Sequence, residues 1–302
     1  AKFIQLIGTN RRDEAPVLNS RIRKAWLQGA KINLVGEVAD LTYDYEHVGF
    51  DKMALSNLVG REYDATTGSP SVVIVGQGAI CDADGEAVLS NTMQLADKMG
   101  AKFMVLHAAA GRVGAMDIDA CTKGGLDVAL DGADVIYNLG ADEFDIADGA
   151  FVIYQGSHGD RGAELADVIL PSAAYTEQNG LYSNLEGRVQ ECKKASYPVG
   201  DSLEDWKIFN LILKKLGKIN ELNNFENLRK EVINSIINFS KINDLPKKIV
   251  SSNNETKSNF YDEEIIVKKL DYYYTNSISR ASKTMSECRQ VSQDFKKTGT
   301  NN

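Results

Sequence analysis

The chain has 302 residues, 43% of them hydrophobic and 25% charged, enough for one large domain or two modest ones. A net charge of −8 and a pI of about 5.1 argue against a nucleic-acid partner, which needs clustered Lys and Arg. No apolar run approaches the roughly 20 residues of a membrane span, so no direct span is expected and work at a membrane would require docking on another protein.

The first two-thirds alternates strand-like and helix-like segments. Phe3–Gly8 is an apolar run ending in Gly. Ala15–Gln28 follows, with Pro16 near a helix start and Val17, Leu18, Ile22, Ala25 and Trp26 at helical spacing. Strands are then expected at Lys31–Gly36, Ser71–Gly76, Ala101–His107, Asp134–Gly140, Ala150–Gly156 and Asp167–Leu170, with a helix at about Glu86–Met99. The strands are runs of Val, Ile and Leu, as in parallel sheets covered on both faces. The pattern predicts an α/β fold with a doubly wound, mostly parallel sheet over residues 1–200. Gly recurs at the strand ends, where open α/β sheets bind ligands.

After Gly200 the character changes. Leu203–Leu216 is amphipathic, with Asp201 or Ser202 as cap and Gly217 as stop, and opens a helical extension over 201–240. Residues 241–262 are polar and aperiodic and read as an extended connector. Residues 263–302 recover apolar positions at Ile265, Ile266, Val267 and Leu270, then Tyr272–Tyr274, and are expected to form a docking tail. The alternative is a tail packed on its own domain. The chain starts at Ala1 and enters a strand almost at once, which reads as the interior of a longer polypeptide or the product of a cut or gene split, with an N-terminal half elsewhere. Abundant Asn, Lys and Ile hint at an AT-rich gene.

The four cysteines, Cys81, Cys121, Cys192 and Cys288, are 40, 71 and 96 residues apart. No pair has the CxxC spacing of zinc or iron–sulfur sites, so free thiols are expected. Gly76-Gln77-Gly78 after a strand is a partial dinucleotide fingerprint, but Cys81 replaces the third Gly and no acid ends the next strand. It reads more simply as a tight turn. Gly8–Glu14 carries two arginines at a helix start. They could hold a phosphate, or pair with acids while Asp13 and Glu14 complement the helix dipole. His158 beside Asp160 could be an acid–base pair, or a loop histidine with ordinary hydrogen bonds.

The most informative stretch is Ala166–Gln190. Asp167–Leu170 reads as a buried strand stopped by Pro171, which cannot continue the ladder. Glu177 precedes the turn signal Asn179-Gly180, and Asn184, Glu186, Gly187 and Arg188 follow. Arg188 can fork onto a carboxylate and Asn184 can cap a turned backbone, giving a braced loop at a strand end.

This pattern, ADVILP followed by Glu177, Gly180, Asn184 and EGRVQ, resembles the molybdopterin oxidoreductase family. Within it, the chain is most similar to the cofactor-free C-terminal half of the large iron–sulfur subunit of respiratory complex I. Support comes from Glu14–Lys24, Asp40–Tyr43, Tyr154–Asp160, Glu204–Lys207 and Asp271–Met285. The resemblance implies a scaffold of the peripheral arm of NADH:ubiquinone oxidoreductase, with no catalytic site and no cofactor in this chain. The 2Fe-2S and 4Fe-4S clusters would sit in the N-terminal half or a partner polypeptide. The partners would be peripheral-arm subunits, including the flavin-bearing and iron–sulfur ones. The place would be the matrix side of the mitochondrial inner membrane, or the cytoplasmic face of a bacterial plasma membrane. Asp167, Pro171, Glu177, Gly180, Asn184, Glu186, Gly187 and Arg188 would be structural signature residues. Arg11 departs from the enzymes, where Pro is common. The alternative is a fragment of a true molybdopterin enzyme such as a formate dehydrogenase.

Overall fold

The computed structural model describes residues 1–63, 70–146, 149–218, 224–245, 263–267 and 270–297. The chain divides into two compact units, each made of two separate stretches. The first comprises residues 1–110 and 247–270, the second 111–246 and 271–302. The stretch 1–200, read above as one domain, contributes to both. The connector expected over 241–262 lies outside the described residues from Pro246 onward.

In the first unit the elements run β1 (Phe3–Ile7), α1 (Arg11–Glu14), α2 (Pro16–Leu27), β2 (Lys31–Val35), β3 (Glu46–Gly49), α3 (Lys52–Val59), β4 (Ser71–Val75), α4 (Gln77–Ile80), α5 (Gly85–Lys98) and β5 (Lys102–Val105). The strands form one parallel sheet in the order β3-β2-β1-β4-β5. Side chains alternate across a strand, so both faces must be covered. Ile4, Leu6, Ile32, Leu34 and Ile74 pack with Ile22 of α2 on one face. Ile7, Val35, Val73 and Val75 pack with Leu55 and Leu58 of α3 and Val88 and Leu95 of α5 on the other. Each such buried side chain contributes about 1.5–3 kcal/mol.

The second unit contains α6 (Arg112–Asp117), α7 (Gly125–Leu130), β6 (Val135–Leu139), β7 (Phe151–Gly156), α8 (Arg161–Glu164), β8 (Val168–Pro171), β9 (Gly180–Ser183), β10 (Val189–Cys192), α9 (Asp205–Lys215), α10 (Phe225–Ser235), α11 (Ser277–Ala281) and α12 (Lys283–Lys297). Strands β6, β7 and β8 form a three-stranded parallel sheet, and β9 and β10 an antiparallel hairpin.

The strand expected at Asp167–Leu170 is not buried: Val168 is 38% and Ile169 54% exposed. It is the edge of a small sheet. Pro171 does end it, but as the last residue of the strand and not as the first one beyond it. Pro171 lies in register with Gly156, and the Ser172 N–H donates to the Gly156 carbonyl. Alternate N–H groups of a strand point to opposite sides, so the missing one falls on the outer side of this edge. Helix α9 begins later than expected, with Glu204 at its N-cap in place of Asp201 or Ser202. It does end where Gly217 predicts. Gly217 has φ +70°, and Lys218 N–H donates back to the Leu213 carbonyl.

Candidate functional site

In each unit the place to look is the carboxyl end of the parallel strands. In the first unit Gly8, Gly36 and Gly76 extend the ladder by one rung, donating to the carbonyls of Val35, Gly49 and Ile7. Gly8 must be glycine. Its φ is +56°, and a Cβ there would stand 2.6 Å from the Ala79 backbone nitrogen.

The two arginines beside Gly8 take different roles. Arg12 pairs with Asp40 at the surface. Arg11 is fully buried and reaches the Thr9 carbonyl at 3.4 Å, and among the described residues its Nε and Nη1 have no hydrogen-bond partner. Burial lowers its pKa to about 10 against the pull of Tyr43 and Glu14. The same burial raises the pKa of Glu14 despite its bond from Thr9. Two of the segments that carry the family resemblance dock on each other here. Asn19 donates to the Leu41 carbonyl at 3.0 Å and accepts from the Tyr43 hydroxyl at 2.9 Å.

The crevice above these glycines is occupied by the chain itself. Residues 263–267 run across it, with Ile265 donating to the Phe50 carbonyl at 2.8 Å and accepting from Glu37 N–H at 3.2 Å. Ile265 is 1% exposed and belongs to the core. Lys52, wholly buried, anchors the start of this run. Its ammonium lies 2.7 Å from Asp84, 3.2 Å from Asp82 and 3.6 Å from Glu263. Burial alone would lower its pKa, but hydrogen bonds to Asp84 and Asp82 outweigh it and the pKa is raised.

In the second unit the loop after β6 is built by Asn138, whose side chain both donates to and accepts from the Ala141 backbone. Asp142 accepts from Gly162 N–H at 3.0 Å. Arg280 of α11 joins Asp142 at 3.1 Å, Glu143 at 2.8 Å, and Asp160. Burial would lower its pKa, but Asp160 and Glu143 raise it. Burial, then nearby Asp142, pushes the Tyr154 hydroxyl up to about 12. Asp160 thus serves Arg280, while His158 bonds Ser157 at 3.0 Å. The ordinary reading of His158 is the one the geometry supports.

The signature residues lie in the second unit and act mainly on backbone. Asp167 accepts from Val152 N–H at 2.7 Å, locking β8 to β7. Glu177 accepts from Ala174 N–H at 3.0 Å. Gly180 opens β9. Asn184 accepts from both Glu186 and Arg188 N–H at 3.0 Å, and Gly187 completes the turn at φ +76°. Among the described residues Arg188 does not fork onto a carboxylate. It reaches the Asn243 carbonyl at 3.2 Å, beside the bond from Asn243 N–H to the Val189 carbonyl. The sequence reading missed a relay nearby, centred on the buried Gln155. Gln155 accepts from the Tyr137 hydroxyl and donates to Asp205 at 2.7 Å, and Asp205 accepts from Gln178 at 2.7 Å. Polar residues inside an apolar run, as in Phe151–Gly156, are its only signal.

Cys81, Cys121, Cys192 and Cys288 form no disulfide. Among the described residues no three His, Cys, Asp or Glu side chains are grouped to hold a metal ion, and no helix is long and apolar enough to cross a membrane.

Residues 1–215 match the family model for molybdopterin oxidoreductase. The chain belongs to that family. Residues 242–288 match a second model, that of the C-terminal part of the NADH-ubiquinone oxidoreductase G subunit. Among family relatives, the 78 kDa subunit of mitochondrial NADH-ubiquinone oxidoreductase from Neurospora crassa is 36% identical over 99% of this chain and 42% of its own length. The 75 kDa subunit from Reclinomonas americana is 34% identical over 95% of the chain and 44% of its own length. The G subunit of NADH-quinone oxidoreductase from Rickettsia bellii is 36% identical over 99% and 45%. The expected likeness to the large subunit of complex I is therefore borne out. The chain spans less than half the length of these relatives.

Proposed function

We propose that the chain is a cofactor-free scaffold domain in the peripheral arm of an NADH:ubiquinone oxidoreductase. The observation that carries this reading is the pairing of two matches: the molybdopterin-type fold over residues 1–215 and the C-terminal part of the NADH-ubiquinone oxidoreductase G subunit over 242–288. The domain supports electron transfer by holding neighbours in place. The 2Fe-2S and 4Fe-4S clusters belong to an N-terminal half or a partner polypeptide, and flavin-bearing and iron–sulfur subunits are the partners. The role divides along the chain into residues 1–200, a helical extension 201–240, a connector 241–262 and a docking tail 263–302. The matrix face of the mitochondrial inner membrane is the proposed location, with the cytoplasmic face of a bacterial membrane as the other possibility.

Elemental analysis of the purified assembly tests this. Iron without molybdenum is expected. Stoichiometric molybdenum would overturn the scaffold reading in favour of a molybdopterin enzyme. The eight signature residues are assigned a structural role, so Arg188→Ala should lower the yield of assembled complex. Complex that does assemble should pass electrons at the wild-type rate per flavin, and full assembly with electron flow stopped would contradict the assignment.

A further inference from the structure

The family is named for a cofactor, and the strand order β3-β2-β1-β4-β5 provides a switch point between β1 and β4 where such sheets bind phosphate-bearing ligands. The residues present do not fit one. A Cβ built on Gly8 would lie 2.8 Å from Ile265 Cγ2, and one on Gly36 would lie 3.3 Å from the same atom. A Cβ on Gly78 would lie 2.7 Å from the Ile266 carbonyl oxygen and 3.0 Å from Val267 Cα. The space that glycines leave open for a ligand's close approach is thus filled by residues 265–267. Backbone hydrogen bonds with Phe50, Glu37 and Lys52 hold this run in place, as an added strand would be held.

The second unit repeats the arrangement with charge. Asp142, Glu143 and Asp160 converge after β6 and β7, and Asp142 is buried. Their donor is supplied by Arg280, whose helix is fixed by a capping box at Asn276. Three acids without a cation would repel one another and bear a heavy desolvation cost. Ile265 and Arg280 both fall within residues 242–288, the part that matches the G subunit of the oxidoreductase, while the glycines and acids they cover fall within the molybdopterin-type part.

We infer that the C-terminal segment is a built-in occupant of the strand-end crevice in each unit, Ile265 replacing a ligand over the glycine loops and Arg280 replacing one among the acids. This rests on the cofactor-free reading and names what keeps each crevice closed. A dinucleotide cannot reach the backbones of Gly8, Gly36 and Gly78 unless residues 265–267 leave.

Amide hydrogen exchange on the full chain tests this with Ile265→Gly, Arg280→Gln and, as a control at a 66% exposed neighbour, Ile266→Ala. Ile265→Gly should speed exchange at Gly8, Gly36 and Gly76 about tenfold or more, leaving Gly140 and Gly162 unchanged. Arg280→Gln should do the converse, speeding Gly162 and sparing the first unit. The control should change neither. If Ile265→Gly does not fold, Ile265→Val gives the graded version, with an expected acceleration of about two- to fivefold at the same amides. Wild-type rates in these variants would overturn the inference. Native mass spectrometry of the wild-type chain separates the two levels. No bound nucleotide together with unchanged exchange would overturn the built-in occupant alone. A stoichiometric dinucleotide would overturn the cofactor-free reading and the inference with it.

Discussion

Lys52 shows how a single side chain can decide local stability. It is buried with Asp84, and Asp82 and Glu263 complete its shell from more exposed positions. Removing one partner of a buried pair leaves an uncompensated charge, which costs more than the pair itself contributes. Lys52→Met should therefore destabilise the chain by about 3–5 kcal/mol, read as a lowered urea midpoint. The double variant Lys52→Met with Asp84→Leu should recover part of that loss. Glu204 gives a pH signature. Burial would raise its pKa, but Trp206, Lys207 and Lys194 together hold it below the ordinary 4.5. A carboxyl with a depressed folded pKa contributes its full stability above the unfolded value and loses it as pH falls through the folded one. The contribution should fade below about pH 4.5, and Glu204→Gln should flatten the acid limb of a plot of stability against pH. None of these pairings was legible beforehand. Lys52, Asp84 and Glu263 are ordinary residues singly, and nothing in their spacing announces that they meet.

At the level of elements, legibility followed how strongly each segment declares its own period. The apolar runs of β1, β2, β4 and β7 were plain, because strands covered on both faces are apolar throughout. Strand β3, with the sequence EHVG, has no such run and escaped notice. The same holds for β9 and β10, four residues each: the segment read as a braced loop is a hairpin, turned at residues 184–188. Helix α12 was missed because Lys, Ser, Glu and Gln dominate it and its apolar positions are few. The end of α9 was legible because Gly217 marks it. Gly217→Ala keeps the left-handed φ and adds a Cβ, so it should cost about 1 kcal/mol in a thermal melt. A change within a few tenths of zero would show that the last turn is held by packing instead.

For the molecule as a whole, the sequence revealed the class of fold and the place where ligands belong, but not what fills that place. The contact of Ile265 with Gly8 joins opposite ends of the chain, and a local pattern carries no trace of it. The tail was expected to dock outward or on its own domain. Tyr274 bonds Ser286 and stacks under Arg289 within its own unit, and Ile265 enters the core. Truncation after residue 245 removes Glu263, Ile265 and Arg280 together. The truncated chain should keep its far-ultraviolet circular dichroism, lose a cooperative thermal transition and bind a dye for exposed apolar surface. A sharp transition near the wild-type midpoint would show that neither unit depends on its returning stretch.

Because each unit is assembled from two separated stretches, neither is complete when its sheet has left the ribosome. The first sheet is fully synthesised by residue 105, yet its core residue Ile265 follows more than 150 residues later. At ~5–20 residues per second the nascent sheet waits on the order of ten to thirty seconds with its glycine loops uncovered. In that interval a chaperone, or a small molecule of the kind the enzymes of this family retain, meets an open surface that the finished chain no longer offers.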